Sequence, residues 1–295
     1  MSATEAPTSF GNKVNKYLSL IKFSHTIFAL PFAMVGFVLA IAYEHQTFAI
    51  EKLVLVVLCM VFARSAAMAF NRWLDRKFDA MNPRTAVREI PSGQISAKNA
   101  LLFIIVNCVL FMACAYLINT ICFYLSPVAI FVILFYSYCK RFTALCHLVL
   151  GVGLGLAPVG AFLAVTGYFS VLPVLLGFAV MTWTGGFDII YALQDEEFDK
   201  GAKLHSIPAA LGKKNALLVS SLIHVVTAIL IIAFGVLGQF NFLFWIGAAL
   251  FIGMLIYQHL IVKPNDLSRV NLAFGTSNGI ASITFAVFTI ISLYI

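Results

Sequence analysis

Two groups of side chains in this sequence have the type and spacing to do chemistry. The first is Asn71, Asp75 and Asp79; the second is Asp188, Asp195, Glu196, Glu197 and Asp199. The chain has 12 acidic residues in 295, and eight of them (these seven acids and Glu89) lie in or beside the two groups. Their surroundings are oily, with 62% hydrophobic residues. A carboxylate at the centre of a bilayer costs about 2.5–3.5 kcal/mol on insertion scales, so acids kept in such a chain point to function. Grouped carboxylates with an amide are hard oxygen donors, and the ligand they fit is a divalent cation.

On a helix, Asn71, Asp75 and Asp79 step by four residues and share an arc of roughly 80°. Arg64, seven positions earlier, falls on the same stripe about 10 Å deeper. The stripe therefore offers a guanidinium, an amide and two carboxylates to one cavity. Mg²⁺ takes one or two carboxylates together with substrate phosphates, and an Arg beside it can fork onto a phosphate oxygen. A polar helix end with surface ion pairs among Asp75, Arg76, Lys77 and Asp79 is the plainer alternative. Read as one continuous helix, Asp188, Asp195 and Asp199 lie within roughly 40°, with Tyr191 about 60° aside. Glu196 and Glu197 then turn away, toward water or basic residues of the following loop. Lys203, four residues after Asp199, can offset charge on a phosphate. The alternative here is a solvated acidic loop.

The elements that must position these groups are membrane helices. Charged residues make up 11% of the chain against 28 phenylalanines, whereas a soluble domain carries about 25% charge. Nine apolar runs, near 24–43, 52–70, 98–117, 121–138, 145–165, 171–191, 214–237, 242–262 and 273–294, are each long enough to cross a hydrocarbon core of about 30 Å. They are continuously apolar rather than alternating, so helices are expected. The fold class is an all-α membrane protein, with residues 1–23 as an N-terminal cytoplasmic segment and 24–295 as one polytopic domain. The helices should form one bundle around a central cavity, with cap loops after the second and sixth.

Basic residues set the orientation. Lys13, Lys16, Lys22, the run from Arg72 to Lys98, Lys140, Arg141, Lys200, Lys203, Lys213, Lys214, Lys263 and Arg269 mark one side, while the alternate loops carry only Lys52. By the positive-inside rule the N-terminus and both acidic groups are cytoplasmic. The net charge of +7 reads as this topology bias, and no nucleic acid partner is expected. The cytoplasmic connections 71–97 and 192–213 are long and polar, and both contain the acids; loops beyond about 12–15 residues are usually functional or disordered. Six cysteines without a CxxC pair read as free small hydrophobes. No secretory signal peptide is expected, because the stretch after Lys22 is too long and lacks a small-residue cleavage site. The six histidines (25, 45, 147, 205, 224 and 259) lack metal-ligand spacing and read as structural.

Two acidic sites facing each other across a cytoplasmic cavity imply two Mg²⁺ ions clamping one diphosphate. An apolar space between helices would hold a lipid chain. Together they point to an isoprenyl diphosphate substrate.

These residues resemble the UbiA superfamily of intramembrane aromatic prenyltransferases. The first signature, NxxxDxxxD, is Asn71-Arg-Trp-Leu-Asp75-Arg-Lys-Phe-Asp79, continuing as Asn82-Pro-Arg-Thr-Ala-Val-Arg88-Glu-Ile-Pro-Ser-Gly93. The second, DxxYxxxDxxxD, is Asp188-Ile-Ile-Tyr191-Ala-Leu-Gln-Asp195-Glu-Glu-Phe-Asp199, continuing into Lys203-Leu-His-Ser-Ile-Pro-Ala-Ala-Leu-Gly212. Between them, Tyr136-Ser-Tyr-Cys-Lys140-Arg141-Phe-Thr143 is similar to a tract of 4-hydroxybenzoate polyprenyltransferases. The resemblance covers about residues 15–294.

The resemblance implies that Asn71, Asp75, Asp79, Asp195 and Asp199 hold the Mg²⁺–diphosphate, with Arg64, Lys140 and Lys203 on the diphosphate. Arg84 and Arg88 are implied to cap it from the loop, where lipid headgroups are an alternative ligand. Arg141 is implied to take the aromatic carboxylate, or else to serve as a positive-inside anchor with Lys140. Asp188 or Tyr191 is implied to orient the metal shell or to take the ring proton. The implied reaction is electrophilic aromatic substitution. A polyprenyl diphosphate ionises with Mg²⁺ assistance, the ring carbon ortho to a phenolic hydroxyl attacks, and proton loss restores aromaticity. The acceptor implied is 4-hydroxybenzoate, for respiratory quinone biosynthesis, in a bacterial inner membrane. A dihydroxynaphthoate, for menaquinone, is the alternative acceptor. An ion- or proton-coupled transporter is the alternative of another class, although transporters place such acids near the bilayer midplane. Prenyl chain length and oligomeric state are not legible.

Overall fold

The computed structural model describes residues 16–20 and 28–295. Lys13, Lys22, His25 and the opening of the first expected span lie outside them. The main helices are α1 (Leu30–Tyr43), α2 (Ile50–Met81), α3 (Ala97–Ile118), α4 (Thr120–Cys139), α5 (Cys146–Thr166) and α6 (Val171–Ala192). They continue with α7 (Glu196–Gly201), α8 (Ile207–Leu237), α9 (Phe242–Ile261) and α10 (Asn278–Ser292), the last preceded by a π-helical turn, Leu272–Ser277. Eight stretches among the described residues are long and apolar enough to cross a bilayer, and α1 adds a shorter apolar helix. The protein is an all-helical integral membrane protein, as expected.

Helix lengths explain where the acids sit. With 32 residues, α2 is about 48 Å long, well beyond a hydrocarbon core of about 30 Å. Its last turns therefore project past the lipid, carrying Asn71, Asp75 and Asp79 with them. Connections at the far end are tight: Asn119 alone separates α3 from α4, and its side chain accepts a hydrogen bond from the Cys122 amide. The cap loops are shorter than the sequence suggests, because α2 runs on to Met81 and α8 begins at Ile207. They cover 82–96 and 193–206, and α7 lies inside the second. A φ of 75° at Gly212, a conformation that suits glycine, kinks α8 between its short first part and its membrane part.

Packing divides the bundle. Phe32, Trp183, Phe234, Phe244, Phe251 and Phe285 are fully buried and fill the side built from α1, α6 and α8–α10. Opposite, small residues on α2, α4 and α5 leave an apolar cavity of about 330 Å³. Lipid tails are as apolar as Leu, so burial alone gives membrane helices little reason to associate, and small-residue contacts do much of that work. Gly151 and Gly155 of α5 provide one such seam, against Met181 and Gly177 of α6. Large side chains such as Leu102, Val109, Leu222 and Ile229 face outward toward lipid.

Candidate active site

The end of α2 presents Asn71, Asp75 and Asp79 as one stripe, with Asp75 and Asp79 buried. Every carboxylate here already holds a cation from another segment. Asp75 pairs with Lys140 Nζ at 2.9 Å and with Arg141 Nη2 at 2.9 Å. The Asn71 amide donates to Asp75 Oδ2 at 3.4 Å and to Ser137 Oγ at 3.5 Å. Asp79 Oδ1 accepts from Arg88 at 2.7 Å, while Asp79 Oδ2 is buried without a hydrogen-bond partner among the described residues.

The first cap loop reaches across to the second acidic group. Asn82 Oδ1 accepts from the Arg84 amide at 3.0 Å, an Asx-type turn that Pro83 favours. Its Nδ2 donates to Asp195 Oδ1 at 3.3 Å. Arg84 forks onto the same carboxylate, Nε to Oδ1 at 3.1 Å and Nη2 to Oδ2 at 2.5 Å, and donates to the Tyr191 hydroxyl at 3.4 Å. Tyr191 in turn lies on Phe274 of the π-helical turn, ring centroids 4.2 Å apart. The two acidic groups thus share one mouth, the arrangement the sequence reading expects.

Lys140 stands between them. Burial works to lower its pKa, but Asp75 first, then Asp199 and Asp79, more than offset this and raise it above the ordinary lysine value. Arg84 behaves alike: burial opposes its charge, and Asp195 and Tyr191 outweigh that, so its pKa is raised. Both cations remain charged at any physiological pH.

Arg64 sits deeper on α2 and lines the apolar cavity together with Tyr136, Ser126, Ala129, Gly153 and Ala157. Its Nε has no partner among the described residues. From Tyr136 to Cys122, both lining the cavity on α4, is about 21 Å along the helix. The cavity thus runs from beneath the acidic mouth toward the opposite membrane face.

One expectation is corrected. Asp188, Asp195 and Asp199 do not share a helix: α6 ends at Ala192, a 3₁₀ turn takes Leu193–Asp195, and α7 starts afresh at Glu196. Lys203 is exposed with a φ of 54° and forms no ion pair with the acids among the described residues. Of the two outcomes expected for Glu196 and Glu197, water or basic residues, Glu196 takes the second, buried against Lys200 at 2.6 Å and Lys213 at 3.8 Å, and Glu197 the first, being exposed.

Two residues escape the sequence reading. Arg72 is buried, its Nε and Nη1 without a partner among the described residues, and in the sequence it stands among Asn71, Asp75, Arg76 and Lys77, where one more cation at a polar helix end gives no signal. His147, read as structural, has its Nδ1 2.7 Å from Asp188 Oδ2. No spacing rule joins residues 41 positions apart.

The donor set fits Mg²⁺. It is all oxygen, and among the described residues one buried carboxylate oxygen lacks a partner and no three acidic, His or Cys side chains close into a cage. An octahedral ion that completes its shell with substrate phosphates needs no such cage.

Residues 29–286 match the UbiA prenyltransferase family. The chain is 30% identical over 236 residues to a 4-hydroxybenzoate octaprenyltransferase of Tolumonas auensis, covering 80% of this chain and 82% of that one. A 4-hydroxybenzoate octaprenyltransferase of Francisella tularensis subsp. novicida is 29% identical over 236 residues, covering 80% and 83%. Among solved structures, a UbiA homolog from Aeropyrum pernix K1 superposes with a TM-score of 0.77 at 31% identity, over 90% of this chain and 95% of that one. A UbiA homolog from Archaeoglobus fulgidus, bound to GPP and Mg²⁺, shares the fold with a TM-score of 0.73 at 23% identity, over 95% and 100% of the two chains.

Proposed function

Because the chain belongs to the UbiA prenyltransferase family, we propose that it transfers a polyprenyl group from a polyprenyl diphosphate to 4-hydroxybenzoate in respiratory quinone biosynthesis, with Mg²⁺. The single observation that carries this reading is the shared mouth, where Arg84 and Asn82 of the first cap loop grip Asp195 of the second acidic group above an apolar cavity. The names of the relatives support the acceptor. We place the protein in a bacterial inner membrane with its N-terminus and the mouth on the cytoplasmic side, as its lysines and arginines favour.

Asn71, Asp75, Asp79, Asp195 and Asp199 would hold Mg²⁺, which neutralises charge on the departing diphosphate when bound. Arg84, Arg88 and Lys140 now neutralise those acids and can turn to phosphate oxygens while staying in the mouth. Arg64, at the head of the cavity, faces the junction between diphosphate and prenyl tail. Arg141 can fork onto the aryl carboxylate from beside Asp75. The ring carbon ortho to the hydroxyl then bonds the allylic carbon as the C–O bond to diphosphate breaks, and the ring proton leaves. The cap loops exclude water, which would otherwise capture the allylic cation.

The test is turnover by membranes holding the full chain, given a polyprenyl diphosphate and a panel of hydroxyaryl acids, with products identified by mass. Prenylated 4-hydroxybenzoate is expected, lost with a chelator and restored by Mg²⁺. A dihydroxynaphthoate product alone would move the acceptor, and no product from any acid would remove the reading. Cavity length is tested separately. Ala129 lies seven residues, about 10 Å, from Tyr136 along α4, and both line the cavity. Ala129→Trp should leave turnover of a short donor, dimethylallyl diphosphate, near wild type while slowing long-chain donors at least tenfold. Equal slowing of both would place the tail elsewhere.

A further inference from the structure

We propose that His147 is a positioning residue that fixes the carboxylate of Asp188 as the acceptor of the ring proton. The inference rests on the aromatic prenyl transfer proposed above and adds to it a residue in neither acidic motif. His147 opens α5 and is buried. Its Nε2 accepts the Ile207 amide at 3.3 Å. Ile207 is the first residue of α8, where helix amides have no partner within the helix. A ring nitrogen that accepts carries no proton, so the proton lies on Nδ1, and Nδ1 is 2.7 Å from Asp188 Oδ2. The start of α8 thereby sets the tautomer, and the tautomer sets the carboxylate.

Asp188 Oδ2 is then committed to His147, and Oδ1 has no hydrogen bond among the described residues. The Asp188 side chain is 24% exposed while the His147 side chain is 3% exposed, so the pair has one wet end and one dry end. The pair lies near the head of the cavity: Tyr136, which lines it with Arg64, has Arg64, Asp188 and Asp75 in its electrostatic surroundings. When the ring carbon has bonded the allylic carbon, the arenium carries one hydrogen too many. That proton passes to Asp188 Oδ1, the C–H electron pair returns to the ring, and the neutral Asp188 acid releases the proton to water at the mouth. His147 keeps its own proton throughout.

His147→Asn and His147→Phe separate positioning from packing. Both lose the acceptor for the Ile207 amide. Asn places its Nδ2 donor near the position of Nδ1 and can still hold Asp188, whereas Phe keeps the ring volume and holds nothing. His147→Leu is prepared alongside in case His147→Phe does not accumulate in membranes. With saturating substrates the Phe or Leu variant should lose about 10–100-fold in kcat, the range found for residues that orient ligands from one layer out. KM for both substrates should hold, and His147→Asn should stay near wild type. With acceptor deuterated at the attacking carbon, wild type should show no isotope effect and the Phe or Leu variant a normal primary one, because proton loss has become slow. Equal loss in the Asn and Phe variants, a Phe variant as fast as wild type, or a slow variant without an isotope effect would overturn the assignment. A wild-type chain that prenylates no aryl acid would remove the proposed function and this role with it.

Discussion

Asp75→Asn is expected to reduce turnover by roughly 10³-fold or more while leaving a folded protein in the membrane. Asp75 is the most buried acid of the mouth, 2% exposed, and both its oxygens hold cations, Lys140 and Arg141. Asparagine keeps the shape and removes the charge. Two consequences follow from that one change. The anionic oxygen donor proposed for Mg²⁺ becomes a neutral amide, and Lys140 faces Arg141 with no anion between them. Removing one preorganised electrostatic group from an active site costs about 10²–10³ in rate, and weakening a proposed metal ligand at the same time adds to it. Stability should suffer less. Breaking a fully buried pair costs about 3–5 kcal/mol, but the partners here are 30% and 25% exposed and can be rehydrated, so about 1–2 kcal/mol is the scale expected after screening. Initial rates across Mg²⁺ concentrations, beside the melting temperature of the solubilised protein, distinguish the two effects. A variant that melts near wild type and keeps wild-type turnover would take Asp75 out of the site.

The charge pattern explains how such a site survives without its substrate. Unpaired buried carboxylates are costly, and here Asp75, Asp79, Asp195 and Glu196 each hold Lys or Arg. On the proposed function, binding a metal–diphosphate complex would be an exchange of partners rather than the arrival of unbalanced charge: the acids would take the cation and the released guanidinium and ammonium groups the phosphate oxygens. Arg84 and Arg88 come from the first cap loop, so the same exchange can draw that loop over the mouth.

What the sequence made legible follows from which contacts are local. Asn71, Asp75 and Asp79 lie in one unbroken helix, and the four-residue step translates directly into a stripe. The same reasoning failed at Asp188–Asp195, because Ala192-Leu-Gln-Asp195 contains no Gly or Pro to announce the 3₁₀ turn that breaks the helix. The meeting of the two acidic groups was legible from topology, since both sit at the same ends of their spans. The partners of the acids were only partly so. Lys140 and Arg141 announce themselves as cations at a helix end, but which acid they bind depends on how α4 packs on α2. His147 depends on α5, α6 and the start of α8 coming together, and an isolated histidine in an oily run carries no trace of that. The cavity was expected, but its side of the bundle is set by where small residues such as Ala63, Ala129, Gly153 and Ala157 line it.

The α5–α6 seam yields the second large effect. A Cβ at Gly151 would stand 2.2 Å from the carbonyl oxygen of Met181, and one at Gly155 would stand 2.5 Å from that of Gly177. Backbone, unlike the tip of a side chain, cannot swing aside, so the helices must separate. Overpacking costs about 1–3 kcal/mol and sometimes more, and a β-branched residue against a carbonyl belongs at the upper end. Separation also acts on chemistry, because the same two helices carry His147 and Asp188, held at 2.7 Å. Gly151→Val should therefore lower both the melting temperature and the amount of protein in the membrane, and what remains folded should turn over slowly. Gly253→Ala, on α9 away from the cavity and with nothing within 4 Å of its Cβ position, should be neutral in both respects, or slightly stabilising through helix propensity. Thermal melts of the two variants with activity per folded molecule decide the matter: equal behaviour would show that close approach of α5 to α6 is not what holds the site in register.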